Sequence, residues 1–135
     1  METLQVRTTS RVEFVDITSQ VRNTIAQTGV KEGIAVVYVT HTTAGITINE
    51  AADPAVAQDI VVKLNDLVPR QGPYKHMEGN SDAHIKSTLV GSSIHLIISS
   101  GTPVLGTWQG VFFCEFDGPR NRKVVVEVLE KSLAT

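Results

Sequence analysis

Three stretches of the sequence concentrate side chains able to do chemistry. The first is His41-Thr42-Thr43-Ala44-Gly45, which leads on to Glu50. The second runs from His76 through Glu78, Asn80, Ser81 and Asp82 to His84. The third joins Gly106-Thr107-Trp108-Gln109 to Glu115-Phe116-Asp117-Gly118-Pro119-Arg120. Histidine is the commonest metal ligand and titrates nearest neutrality. The imidazoles of His41, His76 and His84 could converge on one divalent ion and leave a position open for water or substrate. Their spacing alone favours a structural role instead. It contains no HExxH pattern, and the seven residues between His76 and His84 fit no standard ligand pair. His95, inside an apolar strand, is left outside the site.

An anion has a second possible host. Ser81 would set the free N–H groups of a helix start beside the Gly79-Asn80 turn, and such a start favours phosphate. Arg120, after a Gly-Pro turn, could add a bidentate grip. The plain alternative is a capped helix and a solvated arginine. The segment lacks the spacing of a P-loop. Trp108, the single tryptophan, stands beside an amide and could stack on a ring or plug an interface. Glu115 and Asp117 end an apolar stripe, where the default is an ion pair with Arg120 or Arg122. No Ser-His-Asp or Cys-His arrangement follows from the residue order.

The elements that must position these residues are readable from periodicity. Residues 2–9 and 12–17 alternate as strands around Ser10-Arg11. Thr18 or Ser19 caps a helix carrying Val21 and Ile25 and ended by Gly29. Residues 34–41 form a strand apolar on both parities, so both faces should be buried. In the strand 45–50, Glu50 ends the stripe of Ile46 and Ile48 and should have a partner. Asp53-Pro54 is a strong helix start. Val56, Ile60, Leu64 and Leu67 mark the inward face of that helix, which Pro69 stops. A third helix from Ser81 to Val90 should turn Ile85 and Leu89 inward. Strands at 94–99, 110–116 and 122–129 complete the order ββαββααβββ. The expected fold is α+β, a single two-layer domain over 1–135 with a mixed or antiparallel sheet and helices on one face.

Composition bounds the rest. The 135 residues carry a net charge of −2, with 41% hydrophobic and only 19% charged side chains. That excludes a disordered tail and a basic nucleic-acid binder. A shortage of charge leaves apolar surface to hide, and self-association hides it. Cys114 is the only cysteine, so no disulfide can form within the chain, and its apolar neighbours suggest burial. The N-terminal residues lack a signal-peptide pattern, and no apolar run is long enough for a membrane span. The expectation is a soluble, cytoplasmic protein that binds neither membrane nor nucleic acid.

Four segments in register, THTTAGITINE (40–50), HMEGNSDAHIKSTLVG (76–91), GTWQGV (106–111) and EFDGPRNRKV (115–124), resemble the YjbQ family. Members of that family are described as secondary thiamine-phosphate synthases. The resemblance covers nearly the whole chain and implies a compact α+β homotrimer acting on a small phosphorylated substrate. It implies that hydroxymethylpyrimidine diphosphate is joined to thiazole phosphate with loss of diphosphate, assisted by a divalent ion, Mg or Zn. Its alternative is a trimeric protein that binds a metal or a phosphometabolite, with incidental synthase activity. By the same resemblance His84, Glu50 and Asp117 are candidate catalytic groups. Asn80, Trp108, Gln109 and Arg120 are candidate substrate contacts, and His41, His76 and His84 are candidate metal ligands.

Overall fold

The computed structural model describes residues 1–132. The chain forms β1 (Glu2–Arg7), β2 (Glu13–Asp16), α1 (Thr18–Thr28), β3 (Gly33–Val39), β4 (Ala44–Glu50), α2 (Pro54–Leu67) and α3 (Ser81–Val90). It ends with β5 (Ser93–Ser99), β6 (Thr102–Pro103), β7 (Gln109–Glu115) and β8 (Asn121–Glu130). The α+β expectation holds, and every strand pairing is antiparallel. The strands divide between two sheets, β1-β8-β3-β5-β6 and β2-β7-β4. Pairing partners are distant in sequence, so strand periodicity alone does not assign a strand to a sheet.

The two sheets face each other across the main core. Val37, Val124, Val126 and Ile98 from the larger sheet meet Ile46, Val111 and Phe113 from the smaller. Val21 and Ile25 of α1 complete that core. Strand β7 is buried on both faces, because Phe112 and Cys114 point the other way, into a second cluster with Phe116 and Ala83 of α3. Strand β3 departs from expectation. Ala35, Val37 and Val39 are buried, whereas Ile34 and Tyr38 lie exposed on the outer face of the five-stranded sheet.

The helix ends follow local chemistry. The side chain of Asp53 accepts the N–H of Ala55 at 2.9 Å, and Pro54 opens α2. Gly29 ends α1 at φ 74, a left-handed conformation that glycine adopts without steric cost. The expected cap at Thr18 is supplied instead by Asp16, whose carboxylate accepts the Thr18 N–H at 2.9 Å. Helix α3 is rotated relative to expectation. Ile85 and Leu89 are exposed, while Asp82, Ala83, Lys86 and Ser87 are buried. The reason is an ionic network. Arg11 makes a two-pronged contact with Asp82, at 3.0 and 3.1 Å, and Lys86 donates to Asp82 at 3.2 Å and to Asn65 at 2.7 Å. Burial alone would raise the Asp82 carboxyl. The hydrogen bonds and charges of Arg11 and Lys86 outweigh it and hold the group below the ordinary carboxylate value.

Candidate functional site

The three chemical stretches do not meet at one place within the chain. Pairing of β4 with β7 sets Ala44 opposite Glu115 at one end and Glu50 opposite Gln109 at the other. Seven residues of strand separate these ends by roughly 20 Å. His41, Asn80, His84, Asp117 and Arg120 gather at the Ala44 end. Glu50, Trp108 and Gln109 lie at the opposite end, where the Ala51 N–H donates to the Trp108 carbonyl at 2.7 Å. No side-chain partner of the Glu50 carboxylate is found among the described residues, contrary to the expectation that one would be required.

The Ala44 end holds a polar pocket of about 350 Å³. Threonines 40, 42 and 43 line it together with His41, His84 and Arg120. Beneath it lies a buried ion pair between the two sheets. Arg122 Nε donates to Glu115 Oε2 at 2.8 Å, and its Nη2 donates to Glu115 Oε1 and, at 2.9 Å, to Thr43 Oγ1. Thr8 Oγ1 and the Asp117 N–H also donate to this carboxylate, at 2.8 and 3.0 Å. Burial pushes the Glu115 carboxyl upward, but these donors and the Arg122 charge hold it below its ordinary value. The default expected for Glu115 therefore holds, with Arg122 as partner. A Cβ at Gly118 would stand 2.8 Å from both Thr8 Oγ1 and Glu115 Cγ, so only glycine fits the turn over this pair.

Asp117 holds the pocket's rim. It accepts from Asn80 Nδ2 at 2.9 Å and from Arg120 Nη2 at 3.2 Å, and the Arg120 Nε donates to the Asp117 carbonyl at 2.7 Å. These bonds aim a guanidinium that remains 54% exposed. Asn80 Oδ1 is buried, with no donor found among the described residues.

His41 is fixed by a different contact. Its Nε2 accepts the backbone N–H of Lys123 at 3.0 Å. The neutral ring then carries its proton on Nδ1. Burial, and next the nearby Arg122 charge, lower the His41 pKa below its ordinary value. His84 sits one turn into α3, and its ring meets that of His76 edge-on with centroids 5.4 Å apart. His76 also approaches Glu78 at 3.7 Å.

This geometry corrects the metal expectation. Among the described residues no group of three His, Cys, Asp or Glu side chains is placed to hold an ion. The accepting lone pair of His41 is taken by the Lys123 N–H, so His41, His76 and His84 do not form a ligand set. Sequence reasoning also missed structural residues of this region, namely Arg11 and Lys86. The i,i+4 spacing of Asp82 and Lys86 was the available signal. Cys114 is buried, as expected, and burial pushes its thiol far up, away from nucleophilic use.

Residues 2–131 match a family model described as UPF0047 protein YjbQ-like. A UPF0047 protein of Methanocaldococcus jannaschii is 57% identical over 125 residues, covering 93% of this chain and 91% of that protein. The UPF0047 protein YugU of Bacillus subtilis is 48% identical over 130 residues, covering 96% and 98%. Among solved structures, an uncharacterized conserved protein of this family from Clostridium acetobutylicum superposes with a TM-score of 0.94. It is 52% identical, covering 96% of this chain and 100% of that one. A YbjQ-like protein of unknown function from Sulfolobus solfataricus superposes with a TM-score of 0.92 at 34% identity, covering 96% of each.

None of these descriptions carries a thiamine-phosphate synthase or transferase activity. The expectation of thiamine-phosphate synthesis, which rested on the resemblance alone, is withdrawn, and its metal assistance falls with the missing ligand set. The match over residues 2–131 and the identities of 57% and 48% establish the lineage: the chain belongs to the YjbQ-like UPF0047 family.

Proposed function

We propose that the pocket at the Ala44 end binds a small phosphate-bearing ligand. One observation carries this reading: Asp117 aims the exposed Arg120 guanidinium over a pocket lined by threonine hydroxyls and two imidazoles. Guanidinium and fixed N–H or O–H donors are the groups that recognise phosphate oxygens. His41 adds a neutral Nδ1–H donor, because its other nitrogen is occupied. The second arginine, Arg122, is held by Glu115 and sets the floor of the pocket.

The test is calorimetric titration with inorganic phosphate. Saturable binding that Arg120→Ala weakens by about tenfold or more supports the pocket, since one charge-assisted bond contributes about 1.5–3 kcal/mol. Equal binding by wild type and variant would place phosphate elsewhere.

The same proposal includes self-association as a homotrimer. The outer face of the five-stranded sheet supports it, since Ile34, Tyr38, Ile97 and Leu129 are exposed there together. A contiguous exposed apolar patch marks an interaction surface. We also assign the protein to the cytoplasm. This fits a buried free cysteine and the lack, among the described residues, of a helix long and apolar enough to cross a membrane.

A further inference from the structure

Helix α2 covers the outer face of the three-stranded sheet without closing on it. That face carries Phe14 and Phe112, with ring centroids 6.2 Å apart. Helix α2 carries Val56, Ile60 and Leu64 at the spacing of a buried stripe, yet none of its residues is buried. A cavity of about 500 Å³ separates the two layers. Its walls are Val12, Phe14, Ala51 and Phe112 on one side and Ala57 and Val61 of α2 on the other. Packed elements leave few voids larger than a water molecule, and each wall atom that faces empty space loses its dispersion contacts. Pockets for small organic molecules have such volumes and such apolar walls.

The charged groups of the lining are all of one sign. Glu13, Asp16 and Glu50 line the cavity, and no lysine, arginine or histidine does. Glu13 accepts hydrogen bonds from Thr9, and Asp16 accepts them from Thr18. These donors are neutral and leave both negative charges uncompensated. Glu50 has no side-chain partner among the described residues. Cations on the flanking segments are held elsewhere. Arg11, next to Val12, is bound to Asp82, and Lys63 of α2 pairs with Asp66.

An apolar chamber edged by carboxylates alone selects its occupant by charge as well as by surface. An anion would meet three like charges there. A neutral apolar molecule would fill the chamber but leave Glu50 without a partner. An ammonium brings three donors and a compensating charge. We propose that this cavity binds a small organic cation, an apolar body carrying a protonated amino group. The body lies between Phe14, Phe112 and α2, and the ammonium is held by Glu50. No residue lines both this cavity and the phosphate pocket, so the inference stands apart from that reading.

Calorimetric titration with three probes of one body and different heads tests it: phenylbutylamine, phenylbutanol and phenylbutanoate. The expected order is saturable binding of the amine, binding of the alcohol weaker by about tenfold or more, and no saturable binding of the carboxylate. Glu50→Gln should weaken the amine by about tenfold or more and leave the alcohol unchanged. Ala57→Phe, which fills the chamber, should abolish binding of both, and Glu50→Gln decides alone if that variant does not fold. Equal affinity for amine and alcohol, no saturable binding of the amine, or amine binding that Glu50→Gln leaves intact overturns the inference. Light scattering during the titration identifies the remaining occupant: a mass that falls as the amine saturates would mean that a second copy fills the cavity, which also overturns it.

Discussion

The ring of His41 is anchored to the backbone of Lys123 by an N–H to Nε2 bond of 3.0 Å that joins the end of β3 to the outer side of β8. That one bond decides the chemistry of the histidine. It consumes the lone pair that a metal would need and leaves Nδ1–H as the group the ring can offer.

The pH dependence follows from the same bond. His41 has a lowered pKa in the fold, so its contribution to stability is full above the unfolded value of about 6.5 and declines as pH falls through that value. Denaturant melts from about pH 8 down to about pH 5 should show this decline, and His41→Gln should flatten it. An unchanged slope in the variant would assign the effect to another group.

The ion pair between the sheets should behave as a buried one. Arg122→Ala leaves the Glu115 carboxylate without its main donor and should cost about 3–5 kcal/mol. Glu115→Leu/Arg122→Met, which removes both charges, should recover most of that loss. Urea unfolding of the single and double variants measures both. A cost below about 1 kcal/mol for the single variant would mean that water reaches the pair.

Acid should unlock helix α3. Asp82 and Glu115 both have lowered pKa values, so their stabilisation is present above about pH 4 and is lost as pH falls through their folded values. Asp82→Asn should therefore shift the acid unfolding midpoint less steeply with pH than wild type. Circular dichroism across an acid titration reads this directly, and parallel curves would show that Asp82 carries no linkage.

Arg120 separates binding from folding. The side chain is largely exposed and, among the described residues, bonds only to Asp117, so Arg120→Ala should change stability by no more than about 0.5 kcal/mol. A thermal melt that drops markedly would make Arg120 a structural residue instead.

Local chemistry was legible in the sequence, and long-range arrangement was less so. Asp53-Pro54 starts a helix because both residues act within one turn. The partner of Glu115 could be narrowed to two arginines, but only the approach of β7 and β8 in different sheets selects Arg122. Helix α3 misled because Ile85 and Leu89 have the spacing of an inward stripe. The buried face instead belongs to Asp82 and Lys86, which Arg11, 71 residues from Asp82, makes tolerable. The four motif segments were recognisable as a set, yet Glu50 and Trp108 sit at the far end from His41 because β4 and β7 run antiparallel along their whole length.

Arg120, His41 and His84 are proposed to form one phosphate-binding pocket. Titration with inorganic phosphate, followed by the ring signals of the four histidines in NMR, tests this. Saturable shifts of His41 and His84 are expected with His95 unmoved, lost or weakened by about tenfold or more in Arg120→Ala. Shifts spread evenly over all four histidines, or unaffected by Arg120→Ala, would contradict it.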